Sequence, residues 1–237
     1  MVRTSVTVIA LDGPAGTGKS TTARRVAQAL SWLHVDSGAF YRVAALLALR
    51  ERIVPGEPGD RESLREALTA AKIEQTTRGG RLHTVVDGED VTDAIRSPAV
   101  DAIVSRVADD LELREIVNAA IRRSVSDRPA VVDGRDIGTV VFPDAALKVY
   151  LDASLAERAR RRAREVEPPE RAADAAVLAS YEASLAERDR ADRARPSGAL
   201  AAADDAVHLD TSHLDLESQV ARVLQLARSI DPAAGMR

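Results

Sequence analysis

The residues Gly13-Pro14-Ala15-Gly16-Thr17-Gly18-Lys19-Ser20 fit the pattern G-x-x-x-x-G-K-[ST]. Glycines at these positions let the backbone curl so that its N–H groups point at phosphate oxygens. Lys19 can then reach the β- and γ-phosphates of a nucleoside triphosphate, and the Ser20 hydroxyl can ligate Mg²⁺ directly. The alternative is a glycine-rich turn with an exposed lysine, but a predicted strand precedes the segment and a predicted helix follows it. The sequence therefore predicts a loop that binds ATP and magnesium, extended by Thr21.

A second charged cluster, Asp133-Gly134-Arg135-Asp136, directly follows an apolar strand predicted over residues 130–132. This places it at the carboxyl edge of the sheet, where α/β proteins bind ligands. Arg135 can make a bidentate contact to phosphate, and Asp133 can hold Mg²⁺ through water. Asp136 can accept hydrogen bonds from a base or a sugar. A capped turn would explain the aspartate and glycine at 133–134 but not the whole cluster, so we predict a functional site here.

Arg42 is the one charged residue between Gly38 and Leu49. A guanidinium on an otherwise apolar helix is costly to bury unless an anion pairs with it, and that anion can be a substrate phosphate. Extension of the side chain to solvent, or pairing with a protein carboxylate, explains the residue equally well. The residue alone does not decide between these interpretations.

Arginines and aspartates in the C-terminal half form two further patterns. Arg188, Asp192 and Arg195 stand at i, i+4 and i+7, which places them on one helix face. Their spacing alone favours a solvated ladder of ion pairs. The triplet Arg160-Arg161-Arg162 is either a solvated face or a set of arginines that approach the triphosphate, and we assign Arg161 to the ATP site.

Hydrophobic patterning predicts the elements that position these residues. Short apolar strands alternate with helices along most of the chain, as in a buried parallel sheet. We expect strands at residues 6–11, 33–35, 130–133, 147–151 and 206–210. We expect helices at residues 18–30, 36–50, 98–109, 111–125, 154–166, 172–193 and 215–230. The sequence thus predicts an α/β P-loop fold, a doubly wound parallel sheet of about five strands with helices on both faces.

One segment departs from this alternation. Arg78-Gly79-Gly80-Arg81 separates strand-like residues 72–77 from 82–87, which indicates an antiparallel hairpin. Because such a hairpin does not fit inside a parallel sheet, we predict an inserted lobe over residues 60–97, preceded by a linker at 53–60. The core is then 1–59 and 98–237, and the break at Pro168-Pro169 predicts a helical lid over about 158–196.

Composition narrows the class of protein. The 237 residues are 45 % hydrophobic and 30 % charged, with a net charge of −4 and no cysteine. We therefore expect a globular protein without disulfides or thiolate metal sites, and not one built to coat nucleic acid. No apolar run is long enough for a membrane span or a secretory signal, so we expect a cytoplasmic protein. The four histidines show no metal-binding spacing.

The sequence resembles the bacterial cytidylate kinases of the nucleoside monophosphate kinase group over nearly its whole length. The block from Asp133 to Ala145 is the most specific part of the resemblance. The other matching segments are Ile9-Ala10-Leu11-Asp12-Gly13-Pro14 leading into the loop, Asp36-Ser37-Gly38-Ala39-Phe40-Tyr41-Arg42, Gly88-Glu89-Asp90-Val91, Ile95-Arg96, Ser105-Arg106-Val107-Ala108, Leu113-Arg114-Glu115 and Arg188-Asp189-Arg190.

This resemblance implies transfer of the γ-phosphoryl group of ATP to CMP or dCMP, with Mg²⁺ as cofactor and Lys19, Arg135 and Arg188 as catalytic residues. It implies that the acceptor phosphate is bound by Ser37, Arg42, Arg135 and Arg188. It implies that Ser105, Arg114 and Asp136 read the cytosine, that Asp192 holds the pentose and that Arg195 contacts the phosphates. Members of the family carry an extended substrate-binding domain with a small antiparallel sheet, so the resemblance implies that the inserted lobe at 60–97 is a substrate-binding lobe. We expect a monomer that binds neither nucleic acid nor a membrane.

Two rival functions remain at this point. A kinase of another small acceptor, such as a different nucleoside monophosphate or shikimate, would share the fold, although Ser105 and Arg114 argue against it. A P-loop switch without a small-molecule acceptor would show slow ATP hydrolysis alone, and its substrate arginines would then have no use.

Overall fold

The computed structural model describes residues 6–53, 60–195 and 199–230. Within these ranges the strands are β1 (Val8–Asp12), β2 (Leu33–Asp36), β3 (Ile73–Arg78), β4 (Arg81–Val86), β5 (Glu89–Asp90), β6 (Ala130–Asp133), β7 (Leu147–Asp152) and β8 (Val207–Asp210). They form a five-stranded parallel sheet with the order β2-β6-β1-β7-β8 and a three-stranded sheet with the order β3-β4-β5. The predicted five-stranded parallel sheet is confirmed.

The helices are α1 (Lys19–Leu30), α2 (Ser37–Arg50), α3 (Asp60–Ala70), α4 (Pro98–Asp109), α5 (Leu111–Ser124), α6 (Leu155–Val166), α7 (Ala175–Ala194) and α8 (Leu216–Ile230). Each predicted helix is present, with ends within about three residues of those expected from capping and apolar spacing. Asp36 caps α2 by accepting from the Ala39 N–H, and Asp174 caps α7. Helix α3 was not predicted. The linker expected at 53–60 falls mostly on residues 54–59, which lie outside the described ranges.

The chain divides into two compact units. The first unit comprises Met1–Thr7 and Trp32–Val132, and the second comprises Val8–Ser31 and Asp133–Arg237. In the second unit β1 pairs in parallel with β7, with Ile9 opposite Leu147 and Asp12 opposite Tyr150. All five residues of β1 are buried, which is the pattern of a strand covered on both faces.

The three-stranded sheet lies in the first unit. β3 and β4 are antiparallel, and Arg78 is opposite Arg81 across a two-residue turn. Gly79 and Gly80 in this turn have φ values of 57° and 76°. Because positive φ at both central residues matches the twist of the flanking strands, the glycine pair fixes the register of the hairpin. The predicted antiparallel sheet is confirmed, whereas the extent of the lobe, 60–97, and of the lid, 158–196, stay predictions.

Two local features complete the description. A short π-helix, Ile137–Val141, follows the turn after β6, with the Phe142 N–H donating to the Ile137 carbonyl at 2.7 Å. The sequence did not predict it. None of the described helices is long and apolar enough to cross a membrane.

Candidate active site

The phosphate loop lies between β1 and α1, as predicted, and its glycines adopt conformations that other residues rarely reach. Gly13 has a φ of +143°, Gly16 of +81° and Gly18 of +84°. A Cβ on Gly13 would lie 1.9 Å from the backbone carbonyl oxygen of Leu151 on β7. Because the backbone of β7 cannot move aside as a flexible side chain could, only glycine fits at this position. Gly18 is the N-cap of α1, so the loop turns directly into the positive end of a helix.

Lys19 is buried in the loop. Its Nζ donates to the Pro14 carbonyl at 2.5 Å and to the Thr17 hydroxyl at 3.3 Å. Burial holds the pKa of the Lys19 ammonium well below its usual value, and the positive charges of Arg135 and Arg188 lower it further, while Asp133 and Asp12 raise it. The charges of Arg135 and Arg188 thus act on Lys19 from different elements, the turn after β6 and α7, while their assignment as catalytic residues stays a prediction.

The predicted magnesium ligands are in direct contact. The Ser20 hydroxyl donates to Oδ2 of Asp133 at 2.5 Å. One hydroxyl and one carboxylate are few ligands for a protein-only metal site, and no cluster of three metal-binding side chains occurs in the described ranges. Mg²⁺ in nucleotide sites takes one or two protein oxygens and completes its shell with water and phosphate. The two residues fit a magnesium ion that arrives with ATP.

Asp12 ends β1 immediately before the loop, and no role was predicted for it. Its carboxylate accepts from the backbone N–H groups of Ile137 at 2.8 Å and Gly138 at 2.7 Å, which ties β1 to the π-helix. Burial raises the pKa of Asp12 to about 6, and the nearby negative charge of Asp136 acts in the same direction. The signal in the sequence was an acidic residue ending a fully buried strand immediately before the loop.

Asp192 lies between two arginines. Its Oδ2 accepts from Nε of Arg135 at 2.9 Å, and its Oδ1 pairs with Arg195 at 2.8 Å. Asp192 and Asp136 are both buried, and Arg188 on the preceding turn of α7 is exposed. Arg188 and Asp192 lie one turn apart on α7, but Arg195 follows the helix in an extended conformation, so the three residues do not share one helix face as predicted. The Asp192–Arg195 ion pair is present, and the contact with Arg135 makes the group more than a solvated ladder.

Three side chains brace the loop from outside by donating to its carbonyl oxygens. Arg158 donates to Ala15 at 3.2 Å, and Gln219 on α8 donates to Thr17 at 3.1 Å. Arg161 donates to the Thr17 carbonyl at 3.3 Å and also bonds Glu157 and the 211–214 turn. The assignment of Arg161 to ATP stays a prediction. Arg158 and Gln219 were missed because neither belongs to a recognisable motif.

Four predicted substrate residues lie in the first unit. Ser37 is buried at the start of α2, and Ser105 is exposed on α4. Arg42 donates to the Ile95 carbonyl at 3.0 Å and pairs with Asp101 at 2.7 Å. The protein carboxylate that was one interpretation of Arg42 is therefore present. Asp101 is half exposed and Arg42 is about a quarter exposed, so the pair remains open to exchange with a phosphate.

Arg114 is the most deeply buried of these four. Its guanidinium donates to the Ala108 carbonyl at 3.0 Å and lies 5.3 Å from the centre of the Tyr41 ring. The Tyr41 hydroxyl in turn donates to Asn118 at 3.1 Å. A guanidinium held by an aromatic face and a carbonyl has a fixed orientation, as recognition of one base edge requires.

Comparisons with known proteins identify the family of this chain. The sequence model described as Cytidylate kinase matches residues 9–229. A cytidylate kinase from Chloroherpeton thalassium is 40 % identical over 224 residues, covering 94 % of each chain, and one from Pelotomaculum thermopropionicum is 42 % identical over 219 residues, covering 91 % of this chain and 93 % of the relative.

A bifunctional pantoate ligase/cytidylate kinase from Synechococcus sp. strain CC9902 is 41 % identical over 221 residues, which are 93 % of this chain and 45 % of that relative. This chain thus spans about half the length of the bifunctional relative and nearly the full length of the other two. With a family match over residues 9–229 and about 40 % identity to these relatives, the chain belongs to the cytidylate kinase family.

Proposed function

We propose that this protein transfers the γ-phosphoryl group of ATP to CMP or dCMP, giving ADP and CDP or dCDP. The observation that carries the proposal is the phosphate loop, with Lys19 buried inside it and Ser20 in contact with Asp133. Burial lowers the pKa of Lys19 most, and the positive charges of Arg135 and Arg188 lower it further, against the opposing effect of Asp133 and Asp12. The phosphates of ATP and of an acceptor supply the additional negative charge that this set of cations can bind.

On the ATP side, the backbone N–H groups of residues 13 and 15–20 cradle the β- and γ-phosphates, and Thr21 in the first turn of α1 belongs to the same site. Lys19 exchanges its bond to the Pro14 carbonyl for phosphate oxygens, and the negative charge of the phosphate offsets the burial that lowers the pKa of the lysine. Arg161 extends the same site.

On the acceptor side, Arg135 and Arg188 bind the monophosphate together with Ser37 and Arg42. Ser105, Arg114 and Asp136 read the cytosine. Asp192 holds the pentose hydroxyls, and Arg195 approaches the phosphates. These assignments rest on the family resemblance position by position, and the buried carboxylates and oriented guanidinium groups described above have the chemistry that the roles need.

The reaction needs no general base, because the attacking atom is an oxygen of an already anionic phosphate. That oxygen forms a bond to the γ-phosphorus as the bond to the β,γ-bridging oxygen breaks, and ADP leaves with the electron pair. Catalysis then consists of aligning two polyanions and neutralising the charge between them, for which Lys19, Arg135 and Arg188 suffice together with the loop N–H groups.

Magnesium fits this arrangement as a cofactor. Ser20 would ligate the ion directly and Asp133 would hold it through water. When bound, Mg²⁺ supplies further charge neutralisation at the β- and γ-phosphates. We also propose that the protein works in the cytoplasm as a monomer. A net charge of −4 argues against nucleic acid as a partner.

A panel of acceptors tests the proposal. ADP release is followed with CMP, dCMP, UMP, AMP and shikimate, and also without acceptor. We expect the highest kcat/KM with CMP or dCMP and little release without acceptor. A preference for AMP, UMP or shikimate would assign another kinase activity, and slow release that no acceptor accelerates would indicate a P-loop switch. Lys19→Ala serves as the background control for contaminating kinases.

A further inference from the structure

Arg158 connects three separate parts of the second unit with one guanidinium group. Its Nε donates to the Ala153 carbonyl after β7 at 3.1 Å, and Nη1 donates to the Ala15 carbonyl in the phosphate loop at 3.2 Å. Nη2 pairs with Oδ2 of Asp189 on α7 at 2.8 Å. Only 7 % of the Arg158 side chain is exposed. A planar fork of donors fixes the direction of each partner more strictly than a lysine would.

The loop packs directly on the stem of this arginine. A Cβ built on Gly16 would lie 3.0 Å from Cβ of Arg158 and 3.3 Å from its carbonyl oxygen. Loop backbone and helix α6 are therefore in contact at this residue, so a displacement of Arg158 displaces the loop. The outward-facing Ala15 carbonyl depends on Arg158 for its hydrogen bond, which leaves the inward-facing N–H groups oriented for phosphate.

Asp189 links this anchor to the arginine-bearing face of α7. It lies next to Arg188 and one turn before Asp192, and 4 % of its side chain is exposed. Its Oδ1 is buried with no hydrogen-bond partner among the residues that the structure describes. Arg158 is thus the partner that holds this carboxylate, and through it the helical turn that carries Arg188.

We propose that Arg158 and Asp189 form a positioning pair that sets Arg188 relative to the phosphate loop. The proposal rests on the proposed function, since it concerns the alignment of donor and acceptor phosphates. Neither residue of the pair touches substrate. Misplacement of Arg188 by about 1 Å is enough to slow transfer markedly while ATP still binds to an intact loop.

The effect of the Arg158–Asp189 pair on protein stability can be separated from its effect on the position of Arg188. Removing one partner leaves an uncompensated buried charge, whereas replacing both with apolar side chains of similar volume often keeps or raises stability. Asp189→Ala therefore tests the pair, and R158M/D189L tests whether restored stability also restores function. Asp189→Asn keeps an acceptor for Nη2 and is the conservative rescue. Glu187→Gln, which breaks the exposed Glu187–Arg190 pair on the same helix, is the matched control.

The measurements are Tm, the Kd for ATP, and kcat per folded enzyme with the acceptor that the wild type prefers. For Asp189→Ala we expect a kcat at least about tenfold lower with an ATP Kd within about twofold of wild type. Asp189→Asn should recover most of the kcat. R158M/D189L leaves no unpaired buried charge, so its Tm should exceed that of Asp189→Ala without kcat being regained, and Glu187→Gln should behave as wild type.

Two results overturn the proposal: a kcat in Asp189→Ala within about threefold of wild type, or recovery of both Tm and kcat in the double variant. If Asp189→Ala does not fold, the double variant alone decides. A wild type that prefers another acceptor refutes the proposed substrate but not the pair, which is then measured with that acceptor. A wild type with no acceptor activity refutes both.

Discussion

Nε of Arg135 lies 2.9 Å from Oδ2 of Asp192, so a cation at the carboxyl edge of the sheet is held by a carboxylate near the end of α7. Arg195 binds the other oxygen of the same carboxylate at 2.8 Å. Asp192 therefore offsets two positive charges within the cluster that includes Lys19. Nη1 of Arg135 reaches the Gly134 carbonyl at 3.5 Å, the limit of a hydrogen bond, and the two Nη groups are the pair that a phosphate can bind side by side.

Arg135→Ala should weaken use of the monophosphate far more than binding of ATP. We expect kcat/KM for CMP to fall roughly 10- to 150-fold, because the loss of a charge-assisted contact removes about 1.5–3 kcal/mol of transition-state binding free energy. The ATP Kd, measured without acceptor, should change little. Arg190→Ala removes an exposed arginine from α7 and is the control. Collapse of ATP affinity with an unchanged KM for CMP would place Arg135 on the wrong substrate.

Lys19→Ala should abolish phosphoryl transfer and leave the fold intact. The ammonium contacts the charge that develops during transfer, whereas the conformation of the loop is set by its glycines. We expect kcat below about one tenth of wild type, since such a contact contributes at least about 2 kcal/mol to transition-state binding. Circular dichroism and Tm report on the fold. A variant that keeps more than that fraction of kcat contradicts the role of Lys19.

Gly13→Ala should destabilise the protein much more than Gly79→Ala, although both glycines have positive φ. The added Cβ at position 13 would meet the Leu151 carbonyl oxygen at 1.9 Å, while nothing lies within 4 Å at position 79. We expect a loss of about 3 kcal/mol or more at position 13 and about 1–2 kcal/mol at position 79. Urea denaturation of both variants measures the two losses, and equal values would rule out the close approach as the cause.

Asp12 should make the stability of the free enzyme depend on pH. Because burial raises its pKa from 3.8 to about 6, the folded chain binds this proton more tightly than the unfolded chain. Its contribution to stability is therefore fully present below pH 3.8 and is lost as the pH rises through 6. A pKa change of this size corresponds to about 3 kcal/mol.

Asp12→Asn removes this titration and supplies the test. We expect the free energy of unfolding of wild type, minus that of Asp12→Asn, to fall between pH 4 and pH 7 in urea titrations. The absolute difference includes the mismatch between the amide NH₂ and the backbone donors of Ile137 or Gly138, but that part does not vary with pH. A difference that stays constant over this range would mean that Asp12 titrates normally.

The sequence was sufficient for elements whose causes are local. Apolar strands, caps such as Asp36 and the Gly79-Gly80 turn are specified by residues close in the chain, and all were predicted in place. Helix α3 was missed because only four of its eleven residues, Leu64, Ala67, Leu68 and Ala70, are apolar and because its start adjoins a segment rich in proline and glycine. The π-helix at 137–141 was also missed, since its N–H groups are held by Asp12, which lies 125 residues away in sequence.

The site residues that were predicted are also those specified locally in the sequence, whereas those that were missed depend on long-range contacts. Ser20, Lys19 and Arg135 belong to short motifs in which residue type and spacing are tied to phosphate chemistry. Arg158 acts through Ala15 and Asp189, contacts that only the folded chain brings together. Because α6 contains many arginines, the sequence does not distinguish Arg158 as the one that makes these contacts.

The choice of base is expected to depend on Asp136, which is buried at the start of the π-helix. Cytosine offers an amino donor at N4 and acceptors at N3 and O2, whereas uracil offers the acceptor O4 and the donor N3–H. An ionised Asp136 and the Ser105 hydroxyl can accept from the amino group, and Arg114 can donate to N3 and O2. Facing uracil, the carboxylate would oppose O4 and the guanidinium would oppose N3–H. Two unpaired buried groups commonly give a discrimination of roughly 10² or more.

Asp136→Asn should therefore narrow the ratio of kcat/KM for CMP to that for UMP. The amide can turn its NH₂ group toward O4 and relieve one of the two repulsions, while its oxygen can still accept from the cytosine amino group. Arg114 is unchanged, so the preference for CMP should shrink without reversing. Steady-state kinetics with both nucleotides at saturating ATP measure the ratio. If it stays within about twofold of wild type, a difference below about 0.5 kcal/mol, Asp136 does not read the base and another group distinguishes cytosine from uracil.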